Sequence, residues 1–152
     1  MAATSRTGPE RKADALVKLG EHGADTWVAT ASEAGVAHLV PLSFAWTGDR
    51  ILLATPRTTL TVRNIEASGR ARLAFGDTHD VVIVDAELDR VVEAADLSDE
   101  IGDAYARQAG WDPRRSHEHH AVVLLRPRRI QAWRRENEFE GRVIMSDGRW
   151  LF

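Results

Sequence analysis

The segment Val36–Trp46 (VAHLVPLSFAW) constrains the fold more than any other part of the chain, because neither of its faces suits water. Its β-branched and aromatic residues predict a strand. Alternate residues of a strand share a face, so Val36, His38, Val40, Leu42, Phe44 and Trp46 fall on one side. Ala37, Leu39, Pro41, Ser43 and Ala45 fall on the other, and they are also mostly apolar. One face can fill the interior of a small barrel. The second then needs a helix, a partner subunit or a flat ligand over it, and a homodimer is the economical cover. Pro41 has no N–H to give to a ladder, so the sheet must be interrupted, bulged or at an edge there.

The neighbouring segments extend this β pattern. Thr26–Ala31 predicts a strand joined to the first by a turn at Ser32–Gly35, and Gly48-Asp49 marks a tight hairpin into Arg50–Thr55. Ala71–Phe75 and Val81–Val92 predict two more strands, the second wet on one face from Asp85 onward. Further strands are expected at Ala121–Arg126, Ile130–Arg134, Val143–Met145 and Trp150–Phe152, the last two hinged on Asp147-Gly148. Three helices are expected: from Pro9 to Gly20, from a Thr58 or Thr59 cap to Gly69, and from Leu97 to Gly110. Short consecutive antiparallel strands with a few helices predict a mainly β fold, a closed or partly closed barrel with helical decoration.

A chain of 152 residues can bury a core of its own, and with no repeat or linker it reads as one domain over residues 9–152 behind a mobile tail at 1–8. A net charge of −3 argues against nucleic acid as a partner. Cysteine is absent, which excludes disulfides, thiolate metal sites and cysteine nucleophiles. The longest apolar run, Ala121–Leu125, is far too short to span a membrane, and the N-terminus lacks the apolar stretch of a signal peptide. No membrane association and a cytoplasmic location are therefore expected. Eighteen of the 20 basic residues are Arg, a usage that suggests a high-GC genome.

Ala54-Thr55-Pro56-Arg57-Thr58-Thr59 ends a strand and opens a helix, with Thr61, Arg63 and Asn64 on its first turns. Unpaired N–H groups and the positive end of the helix dipole favour an anion at such a place, and hydroxyls with Arg57 and Arg63 add donors and charge. A phosphate suits it. The same residues also suit an ordinary cap and a solvated helix face.

The ordered series Val36–Phe44, Ile51–Thr55, Thr61-Val62-Arg63-Asn64-Ile65 and Gly69–Ala74 resembles the pyridoxamine 5′-phosphate oxidase-like superfamily of FMN-binding split barrels. More narrowly it is similar to the actinobacterial flavin and deazaflavin oxidoreductase branch, over about Glu10 to Trp133, with Arg129–Trp133 resembling the last barrel strand. The resemblance implies a homodimeric split β-barrel holding flavin-type cofactors in grooves between subunits. It places His38, Val40 and Pro41 along the ring system, and Ala54, Thr55, Arg57, Thr59, Thr61 and Arg63 around the ribityl chain and phosphate. Many relatives carry a cation where this chain has Thr61, and basic or glycine residues at Thr58 and Thr59.

That missing charge bears on the cofactor, because the FMN phosphate is a dianion and the phosphate of coenzyme F420, a 5-deazaflavin, is a diester. F420 also carries a carboxylate-rich tail, which Arg114, Arg115, Arg128, Arg129, Arg134 and Arg135 are candidates to meet. The expected activity is hydride transfer between reduced F420, or FMN, and a small unsaturated or aromatic substrate, without a dedicated catalytic side chain. Trp111, Trp133, His79 and Tyr105 are candidate pocket walls. Three alternatives stand: an FMN enzyme oxidising a pyridoxal-type substrate, a non-catalytic binder of haem or another cofactor with His22, His38, His79 or His120 as axial ligand, and a dimeric interaction module that binds nothing. His117-Glu118-His119-His120 lacks a well-spaced third ligand, so no metal site is expected.

Overall fold

The computed structural model describes residues 3–152. Six strands close a barrel: β1 (Asp25–Ala31), β2 (Ala37–Trp46), β3 (Ile51–Pro56), β4 (Arg70–Asp77), β5 (Asp80–Glu93) and β6 (His120–Trp133). Their order is β3-β2-β1-β4-β5-β6, and pairing of β3 with β6 completes the ring. The short hairpin β7 (Val143–Ser146) and β8 (Arg149–Trp150) extends the sheet beyond β6. Its turn is Asp147-Gly148, with φ of 52° and 75°, the left-handed pair that a two-residue hairpin requires.

The alternation expected from sequence decides the core. Val28, Phe44, Leu53, Leu73, Phe75, Val84, Val123, Leu125 and Ile130 fill the interior, with Phe44 and Phe75 edge to face at 4.9 Å. A smaller cluster outside the barrel joins Ala45, Leu52, Ala54, Val122 and Leu124 to Tyr105 of α3 (Asp99–Ala109). Residues α1 (Gly8–Leu19) and α2 (Leu60–Ser68) complete the helices. Thr7 and Glu10 form a reciprocal capping box on α1, Thr59 caps α2, and Gly69 at φ 70° ends it.

One expectation needs correction. Ala121–Arg126 and Ile130–Trp133 belong to one continuous strand, with Arg134 just beyond it, because β5 pairs along both segments and a register shift at Arg128 carries the ladder past Pro127. Of the expected tail, Met1 and Ala2 lie outside the described residues, and the segment from Ala3 makes contacts with the rest of the chain. Ser5 donates to the Asn137 carbonyl, and Arg6 pairs with Glu138 at 2.7 Å and Asp14 at 2.9 Å. Glu138 lies far along the chain from Arg6, so a local reading of residues 1–8 had no sign of it.

Candidate functional site

The site begins where β2 loses a neighbour. The β2–β3 ladder contains only Phe44↔Leu53, Ala45↔Leu52 and Trp46↔Ile51. From Ser43 back to Ala37, β2 pairs with β1 alone, passing through Trp27↔Pro41 without a register shift. β3 meanwhile continues along β6 through Ala54↔Val122, Thr55↔Ala121 and Pro56↔His120. The barrel is thus split between β2 and the end of β3, and the edge of β2 from Ala37 to Ser43 is open. Pro41 sits within that open stretch, where its missing N–H costs no β2–β3 bond.

The predicted residues gather on the two sides of this opening. His38 and Val40 are half-buried on the inward side, opposite Thr30 and Val28, while Pro41 is exposed beside Trp27. Ala54 and Thr55 are buried on β3, and Thr59 turns the chain into α2, its hydroxyl accepting from the Val62 N–H. Thr61, only 1% exposed, faces the interior with Asn64, whose amide donates to Thr30 at 3.1 Å. Arg63 is exposed and makes no ion pair among the described residues. Unsatisfied first-turn N–H groups of α2 and the Arg63 guanidinium are therefore the donors an anion would meet.

Arg57 is already engaged. Its guanidinium bonds Glu66 of α2 at 2.6 Å and lies 3.3 Å from Glu93 of β5. Foremost the Glu66 hydrogen bond holds this guanidinium in its charged form. Neither carboxylate carries a sequence signal for this role, since their meeting depends on the barrel bringing α2 and the end of β5 together.

At the end of the open edge, on the outward face of β2, lies a polar hub that the sequence reading missed. The Ser43 hydroxyl accepts from the Trp111 indole N–H at 2.8 Å and shares a hydrogen bond with the Tyr105 phenol at 2.9 Å. Burial pushes the Tyr105 phenol pKa up. As a candidate pocket wall Tyr105 is therefore corrected: it is fully buried, part of the seal between α3 and β2. Trp111 is half-buried, edge to face with Tyr105 at 6.1 Å and with His120 at 5.2 Å. Trp133 packs against Phe139, and exposed His79 borders a separate surface depression with Arg134 and Arg135.

The six candidate tail-binding arginines do not form one surface. Arg114 is tied to Asp112 at 2.8 Å and Asp103 at 2.7 Å, Arg134 to Asp14 and Asp80, and Arg128 lies 3.7 Å from Glu87. Arg115, Arg129 and Arg135 are exposed. Next to Arg57 a cavity of about 530 Å³ opens between Glu93–Asp96 and Pro113–His120, lined by His117, His119 and His120. Of the candidate axial ligands, His22 is exposed and His120 donates from Nδ1 to the Glu118 carbonyl at 3.1 Å.

On the outward face, Trp27, Ala29 and Ala31 of β1 lie opposite Pro41, Leu39 and Ala37 of β2. Every one of these is apolar, and Trp27 is 51% and Leu39 59% exposed. α3 covers this face only from Ser43 onward.

A family profile described as pyridoxamine 5′-phosphate oxidase matches residues 25–134, the span from β1 to just past β6 that contains the whole barrel. The chain belongs to this family. Solved structures share the oxidase-family fold at low identity. An F420 reductase is 16% identical with a TM-score of 0.61, covering 75% of this chain and 94% of its own. A pyridoxamine 5′-phosphate oxidase-related, FMN-binding protein from Nostoc punctiforme is 13% identical with a TM-score of 0.51, covering 82% and 78%. HupZ of Group A Streptococcus is 19% identical with a TM-score of 0.55, covering 73% and 86%. No curated protein matches the chain.

Proposed function

We propose that this family member is a flavin- or deazaflavin-dependent oxidoreductase of the actinobacterial branch, acting as a homodimer. It exchanges a hydride between F420, or FMN, and a small unsaturated or aromatic substrate. The observation that carries the reading is the split itself: an open strand edge at Val40–Leu42 facing Ala54–Thr55, with an anion-favouring helix start directly after β3. An unpaired strand edge offers main-chain donors and acceptors to a heterocycle, and the apolar floor beside Pro41 and Trp27 suits a flat ring.

The donor set fits such a group. His38, Val40 and Pro41 would border the ring, Ala54 and Thr55 the chain beyond it, and the Thr58–Thr61 turn with Arg57 and Arg63 the phosphate. When bound, the cofactor supplies the redox chemistry. The protein's own tasks are to position that ring, to keep water off it, and to hold the phosphate. No acid–base side chain is required for these tasks, so the reading names no catalytic residue. A second copy laid on the Trp27–Leu39–Pro41 face would close the groove and remove the exposed apolar surface.

Charge favours F420 over FMN. Arg57 already faces two carboxylates, so Arg63 is the one cation near the helix start without an internal partner among the described residues. One cation matches a phosphodiester monoanion better than a dianion. The test is to titrate the full chain with F420 and with FMN while following Trp fluorescence. Quenching is expected with F420 at lower concentration, and no quenching by either compound overturns the reading.

A further inference from the structure

The point at which β2 parts from β3 is fixed by a side chain with no part in the barrel core. Ser43 is the first residue of β2 beyond the β2–β3 ladder, so the open edge starts there. Its hydroxyl has two partners, the Trp111 N–H at 2.8 Å and the Tyr105 phenol at 2.9 Å, and the phenol also reaches the Ser43 carbonyl at 3.4 Å. One consistent proton arrangement satisfies all three: the indole donates to the hydroxyl, the hydroxyl to the phenol oxygen, and the phenol to the carbonyl. Both aromatic partners are themselves restrained. Tyr105 is fully buried in α3, and Trp111 is wedged against Tyr105 and against His120, which pairs with Pro56 at the end of β3. The hub thus ties the free strand edge, through Trp111, to the strand end across the opening.

A strand edge without a neighbour has few bonds to hold it, and a heterocycle bound along it needs that edge placed to within a fraction of an ångström. We infer that Ser43 is a positioning residue for the cofactor: pinned by Trp111 and Tyr105, it sets the open edge of β2 at the spacing from β3 that the ring requires. This rests on the proposed flavin-type site. The hydroxyl itself touches no ligand; it acts through the backbone of Pro41 and Leu42.

The test uses the full chain with Ser43→Ala, Trp111→Phe and Ser43→Thr. In the ligand-free protein, hydrogen exchange of β2 amides between His38 and Leu42 is expected to speed up by about tenfold in Ser43→Ala and Trp111→Phe, the scale of one lost hydrogen bond. Amides of Val82 and Val84 in the barrel core should stay as in the wild type. With F420 and FMN, the same two variants should bind about tenfold more weakly and, at saturation, show an altered visible circular dichroism of the bound ring. Ser43→Thr, which keeps the hydroxyl, should restore both. Unchanged exchange in Ser43→Ala shows that the hub does not hold the edge and overturns the inference. Faster exchange with wild-type affinity and ring spectrum reduces the hub to a packing device and also overturns it. If the wild type binds neither compound, the flavin site falls and takes this role with it, whatever the exchange data show.

Discussion

Replacing Glu138 by Gln tests how the chain outside the barrel is held to it. Glu138 is 3% exposed in its side chain, and Arg6 meets it through both Nε and Nη2 at 3.1 and 2.7 Å. The carboxylate also accepts the backbone N–H groups of Arg6 and Arg134. Chiefly the Arg6 hydrogen bonds hold its pKa at about 2, against an ordinary 4.5. At about 1.4 kcal/mol per pH unit, that difference is worth about 3 kcal/mol of stability at neutral pH. Because the folded-state pKa lies below the unfolded one, the contribution is complete above about pH 4.5 and disappears as pH falls through about 2. Glutamine stands in for the protonated acid. Urea unfolding at pH 7 should therefore show Glu138→Gln less stable than wild type by about 3 kcal/mol, with the gap falling to less than half by pH 3. Other carboxylates titrate alike in both proteins and cancel in the difference. A gap below about 1 kcal/mol at pH 7, or one that does not change between pH 7 and pH 3, refutes the account, since either result would mean that the Arg6 pair is no stronger than an exposed one.

Glu66→Gln should leave Arg57 with Glu93 as its one carboxylate partner and tighten FMN by about threefold, with a smaller effect on F420; equal changes for both would remove the charge argument for cofactor choice. Leu39→Asp should shift the protein to monomer in light scattering and weaken binding of either cofactor, whereas an unchanged dimer would show that this face is not the seam. Gly76→Ala should cost about 2 kcal/mol or more and lower the melting temperature by several degrees, because φ is 80° there and a methyl group would run into the Asp80 carbonyl and the Lys18 side chain. A melting temperature within one degree of wild type would contradict it.

Much of the barrel was legible because its physics is local. The two-faced β2 and its Pro41 announced an interrupted sheet, and the interruption lies where the ladder from Phe44 stops. Asp147-Gly148, Gly69 and Thr59 mark their turn, helix end and cap through conformations or hydrogen bonds that need no distant partner. What escaped the sequence was pairing at long range. Ser43 reads as one more small residue on an apolar strand until α3 delivers Tyr105 and Trp111 to it. Arg57 reads as a free cation until the fold supplies Glu66 and Glu93, and Arg6 as a tail residue until it supplies Glu138. In each case the meaning of the side chain is set by a partner whose position only closure of the barrel determines.

The outward face of β1 and β2 links the two halves of the proposed function, and its arithmetic predicts how. Trp27 and Leu39 are about half exposed, so covering what remains of them and the neighbouring Pro41 and alanines is worth only a few kcal/mol at roughly 1.5–3 kcal/mol per large side chain. Bringing two chains together costs about 4–15 kcal/mol in lost motional freedom. Apolar burial at these residues alone therefore leaves a homodimer near break-even. A ring held along the edge at Pro41 would present its own face to the second copy, adding contact that exists only in the assembled state. Whatever binds the dimer in preference to the monomer must strengthen the dimer in the same proportion. Sedimentation velocity across a concentration series should then show a dimer dissociation constant that falls by tenfold or more when the cofactor saturates. An association indifferent to the cofactor would mean that the ring does not reach the seam, and the groove at Pro41 would have to be closed by this chain alone.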